Sequence, residues 1–176
     1  MQTLKFNIVT RTRFSLPIIQ FNAGAFFGDG SRFESEINGT GDGIGGFIDA
    51  LTKAAAMLSS KKRREDALRL LFPTGLDKDQ KFITGVERIK ALTGLRLAGP
   101  HLIWSLNKQK DQIILRWLKD TFGITWMEGL HSVLIRPGGH RCAVRVSGQN
   151  DGSWAFGDFN LDHDRHSDLP ALAFGK

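Results

Sequence analysis

The spacing of the hydrophobic residues changes at Gly123, and this change limits the possible folds more than any other feature. Before it, Phe47, Leu51, Ala54, Ala55 and Leu58 recur at helical spacing, as do Ile114, Trp117 and Leu118. After it, apolar and polar residues alternate in short runs: Ile124 to Met127, Ser132 to Arg136, Arg141 to Ser147, Ser153 to Asp158 and Ala171 to Phe174. Gly129, Pro137-Gly138-Gly139 and Asn150-Asp151-Gly152 punctuate these runs as turns. Helices gathered in one stretch and strands in another give an α+β fold rather than an alternating α/β one.

The N-terminal residues add a strand pair. Leu4, Phe6 and Ile8 alternate with Lys5 and Asn7, and Phe14, Leu16 and Ile18 read as the second arm of a hairpin. A glycine-rich stretch from Gly24 to Gly46 reads as a long surface loop. It lacks the Gly-Lys-Ser/Thr ending of a phosphate-binding loop, which argues against nucleotide binding. The helices then follow in order. One starts near Gly46, and Ser59 or Ser60 caps a second over 61–72 that Pro73-Thr74-Gly75 stops. Asp77 or Asp79 opens a third with a Phe82, Val86, Ile89 stripe, ended by Gly94. Pro100 begins a fourth, and a fifth spans about 110–122. The expected organisation is a single domain over 1–176: hairpin and loop over 1–41, helical part over 42–123, sheet part over 124–176.

Bulk properties exclude several classes. No apolar run approaches the ~20 residues that span a bilayer, and the N-terminus has no uninterrupted hydrophobic segment of a signal peptide. One cysteine, Cys142, precludes an internal disulfide framework and fits a reducing, cytoplasmic compartment. The net charge of +6 is densest at Lys61-Lys62-Arg63-Arg64. A solvated helix start accounts for that cluster; an acidic partner, nucleic acid or a nuclear import signal are the sharper readings. No aromatic residue interleaves with it, so it is not a stacking platform for single strands.

The candidate chemistry lies in Gly138–Asp168. His140 precedes one expected strand and Asp158 ends the next. A carboxylate that accepts from one imidazole nitrogen fixes the tautomer a general base needs. Cys142 lies two residues after His140, so the two share a face of an extended strand. A small half-buried strand residue is the simpler account of that cysteine. Asp162-His163-Asp164-Arg165-His166 could bind a metal or serve as acid and base in a basic nuclease; a solvated polar loop is the simpler account. No metal site or other cofactor is expected.

Three blocks resemble the papain-like cysteine proteases, most closely the leader proteases of picornaviruses. Ile89-Lys90-Ala91-Leu92-Thr93-Gly94-Leu95-Arg96-Leu97, with Gly99-Pro100 and Ile103-Trp104, is similar to the family's link between two helices. Gly139-His140 through Trp154-Ala155-Phe156-Gly157-Asp158 is similar to its histidine and aspartate strands. Gly46-Phe47-Ile48-Asp49-Ala50-Leu51 is similar to its Cys-Trp-Leu-Asn-Ala-Ile helix start.

The resemblance implies a helical subdomain with the nucleophile at a helix N-terminus, followed by an antiparallel sheet bearing histidine and aspartate. Substrate peptide would lie in the cleft between them, bordered by Trp154, Asp162 and Asp164, whose acids together with Asp168 would favour basic segments. It also implies a viral protein that releases itself from a polyprotein and antagonises the host from its cytoplasm; the Phe174-Gly175-Lys176 end is compatible with such a boundary. The chain departs from the pattern at the decisive place. Gly46, or Ile44 or Gly45 in a shifted alignment, stands where the family has cysteine. Gly41 or Asp42 stands where it has the oxyanion-stabilising asparagine, and an aspartate there would repel a developing oxyanion. The expectation is a thiol protease fold without its reaction, natural or engineered, that binds a peptide or host protein. A basic nucleic-acid-binding or nuclease domain using His163 and His166 is the alternative, and a bacterial effector protease fold a third.

Overall fold

The computed structural model describes residues 3–8, 12–17, 19–34, 44–58 and 61–174. The architecture is α+β, with helices first and most of the sheet after them. Strands β1 (Thr3–Ile8) and β2 (Thr12–Pro17) form an antiparallel hairpin, as the alternation predicts. The glycine-rich stretch is less loop-like than expected. It holds a short helix, α1 (Ala23–Phe27), and a strand, β3 (Arg32–Phe33). The Asn22 side chain caps α1, and Gly28 at φ 67° ends it in the left-handed conformation.

Helices α2 (Ile44–Ala56) and α3 (Lys61–Leu71) pack together, with Leu51, Ala54, Ala67 and Leu71 fully buried. The third helix begins later than its sequence suggests. Residues 77–81 are not helical; Ile83–Thr84 is a short strand, β4, and α4 spans Gly85–Ala91. The cause is a capping box: Thr84 Oγ1 accepts from the Glu87 amide, and the Glu87 carboxylate accepts from the Thr84 amide. Phe82 falls outside the helix and is exposed instead of buried.

Helix α5 (Pro100–Lys108) is the central element, packing on β2 and on three strands of the main sheet. It is buried nearly all round, polar positions included. His101 Nδ1 accepts from the Phe21 amide at 2.8 Å, and Ser105 Oγ from the Ile19 amide at 3.0 Å. These buried groups fasten the segment after β2, since a buried polar atom must find a partner. A 3-10 turn leads into α6 (Ile113–Phe122), which ends at Gly123 in the left-handed conformation.

The main sheet is antiparallel, in the order β3-β5-β6-β7. Its strands are β5 (Trp126–Ile135), β6 (Arg141–Gly148) and β7 (Trp154–Asn160). Gly129 does not break β5 as the sequence suggests; one strand replaces the two expected. An ideal Cβ there would lie 2.8 Å from Ile103 Cγ1 and 3.1 Å from the Ala98 carbonyl oxygen, so glycine is what lets α5 and its approach lie this close. Cys142, Val144 and Val146 of β6 face α5 and the larger core. Ala143 on the opposite face joins a second core with Leu92, Leu130, Leu161 and Ala171. The two-residue strand β8 (Asp164–Arg165) pairs with β4 and closes that second core. Residues 171–174 make isolated bridges to Leu97 and Glu128 rather than the expected strand.

Candidate functional site

The register of β6 and β7 determines the fate of the expected catalytic pair. Asp158 lies opposite Val144, and Asn160 opposite Cys142. His140 precedes Val144 by four residues, roughly 13 Å along an extended chain. The structure therefore does not bring His140 and Asp158 together. His140 is exposed at the end of the Pro137–Gly139 turn. Asp158 is ion-paired with Arg136 at 3.5 Å, and Arg136 also reaches Asp29 at 3.2 Å and lies over the Phe27 ring. That arginine ties α1 and the turn after it to the sheet and occupies the carboxylate that was expected to orient an imidazole.

Cys142 is buried and points to the Asp158 side of the sheet. Burial, then the hydrogen bond and negative charge of Asp158, push its thiol up to about 12. A raised pKa means the folded state holds the proton more tightly. Its contribution to stability is complete below the ordinary thiol range and is lost as pH rises toward 12. The folded protein is expected to react with iodoacetamide at about pH 10 some two orders of magnitude more slowly than free cysteine. A rate matching the free amino acid would show that the thiol is accessible and ionised.

The remaining expected residues separate. Trp154 is not a cleft residue; it is 4% exposed, with its amide bonded to Gln112 Oε1 at 2.8 Å. Asp162 and Asp164 are exposed around the turn into β8. His163 packs against Phe159 and His166 against Phe82, and no group of three metal-ligating side chains exists among the described residues. Gly41 and Asp42 lie outside the described residues.

Arg165, in the middle of that polar cluster, is fully buried. Its guanidinium meets Glu128 at 3.0 Å, and Arg88 meets the same carboxylate at 3.5 Å from α4. All three side chains are 0% exposed. Burial raises the Glu128 pKa, and the two arginines pull it back; burial also lowers Arg88 to about 10. Backbone carbonyls complete the set: Arg165 donates to Asn160 and His163, and Arg88 to Leu169. Sequence reading misses this network because its members are far apart in the chain. The one local signal is Glu128, the acidic residue inside a mostly apolar strand.

A groove lies between the helical and sheet parts. It holds about 500 Å³ and is lined by Ile89 and Leu92–Leu97 from the helical side and by Leu130, His131 and Phe174 from the sheet side. Gly46, in the first turn of α2, borders it through Arg96. The three atoms nearest an ideal Cβ at position 46 all belong to that guanidinium, the closest at 3.0 Å. The place where the resemblance puts a thiol thus faces an arginine. A second hollow, of about 640 Å³, lies beside Phe72–Leu76 and Pro170, and none of the expected site residues lines it.

No helix among the described residues is long and apolar enough to cross a membrane. No protein-family model, curated protein or solved structure matches this chain.

Proposed function

We propose that this chain is a papain-like domain that binds peptide without cleaving it. The observation that carries the reading is the groove between the helical and sheet parts, whose Arg96 lies against Gly46, the position where the protease would have its thiol. Helices followed by an antiparallel sheet are the order the papain-like mechanism requires, and the block from Ile89 to Leu97 that carries part of the resemblance lines the groove itself. Hydrolysis would need an activated nucleophile and a base held in one tautomer. Position 46 has no side chain, Cys142 is buried and protonated, and Asp158 is engaged by Arg136. By its resemblance to leader proteases, the domain would be viral, act in the host cytoplasm and work by capturing a host or viral protein.

Mass spectrometry of a peptide library incubated with the purified chain tests the first half of the reading, and no cleavage product is expected. Capture of library members tests the second half. Cleavage that His140→Ala abolishes would overturn the proposal, as would a chain that retains no peptide at all.

A further inference from the structure

We infer that the groove recognises a free carboxylate on an apolar residue, the C-terminal residue of a peptide, through the guanidinium of Arg96. This rests on the reading of the groove as a peptide site. Its lining sets apolar side chains, Ile89, Leu92, Leu95, Leu97, Leu130 and Phe174, beside the polar Thr93, Arg96 and His131. The apolar part takes an aliphatic or aromatic side chain and gains little from a charged one. The cation is placed where the groove meets α2. Among the described residues no carboxylate lies within ion-pair distance of Arg96, which leaves its guanidinium available to a ligand. Gly46 leaves the guanidinium room to lie against the first turn of the helix. His131 lines the same groove and can donate a further hydrogen bond. A planar guanidinium offers paired donors in the geometry of a carboxylate, and bonds of this charged kind are about twice as strong as neutral ones. An apolar patch beside a cation without an acidic neighbour therefore complements an apolar residue that ends in a carboxylate.

Fluorescence polarisation decides the matter with a labelled glycine–serine peptide ending in leucine, prepared as the free acid and as the carboxamide. The free acid is expected to bind roughly 10- to 100-fold more tightly. Arg96→Gln is expected to erase that difference without moving the melting temperature, because the side chain is exposed. Gly46→Ala, whose Cβ would push on the guanidinium from 3.0 Å, is expected to reduce it modestly. Equal binding of acid and amide would overturn the carboxylate inference and leave the peptide groove standing. Binding of neither would overturn both. Octanoate that competes as well as the peptide would assign the groove to a free apolar acid and overturn the peptide as its source.

Discussion

Glu128→Ala is expected to destabilise the fold by at least about 3–5 kcal/mol, the usual consequence of removing one partner from a buried ion pair. That is a large part of the ~5–15 kcal/mol that holds a domain of ordinary stability together. The expected readout in chemical denaturation is a strongly lowered midpoint, or no folded baseline at all. Glu128 is the one carboxylate between two fully buried guanidinium groups, so its loss leaves both uncompensated and facing each other. Replacing all three residues together, as Arg88→Met, Glu128→Leu and Arg165→Met, is expected to recover part of the loss. Recovery is incomplete because Arg165 and Arg88 also satisfy the carbonyls of Asn160, His163 and Leu169. A Glu128→Ala midpoint equal to that of the unsubstituted chain would show that the network adds nothing to stability.

Gly129→Ala is expected to lower stability by about 1–3 kcal/mol, the range for forcing extra volume into a packed interior. The added methyl would meet Ile103 of α5 and the Ala98 carbonyl oxygen, and the second of these is backbone that cannot rotate away. The strain falls on the contact between the central helix and the longest strand, so it should appear as faster amide exchange in both β5 and α5. Unchanged exchange there, with an unchanged melting temperature, would mean that the two elements separate more easily than their packing implies.

Local chemistry made much of the fold legible. Pro73 and Gly123 end α3 and α6, Pro100 opens α5, and the turn at Asn150-Asp151-Gly152 joins β6 to β7, all as their residue types suggest. Errors came where tertiary packing or a competing local bond prevailed. The Thr84–Glu87 box claims the start of α4 from Asp77 and Asp79, and Gly129 reads as a break only if the neighbouring helix is unseen. The catalytic pair was the more instructive miss. A turn centred on Asp151 pairs residues equidistant from it, which sets Asp158 against Val144 and leaves His140 beyond reach. That much could be read from the turn alone. Arg88, Glu128 and Arg165 could not, because no spacing rule links charges that meet only after the chain has folded back twice.

The last described residues have a kinetic consequence. Residues 171–174 run through the middle of the molecule: their amides bond to the carbonyls of Pro73, Glu128, Leu71 and Arg96, and the Leu172 carbonyl accepts from Ala98. Four of these five partners precede residue 100. A chain emerging from the ribosome meets its early segments long before this one, and those segments must wait with their inner surfaces exposed. Contacts so distant in sequence close more slowly than local ones, because loop-closure entropy is lost before they form. These contacts should then form late, when residues 171–174 reach segments already assembled on either side.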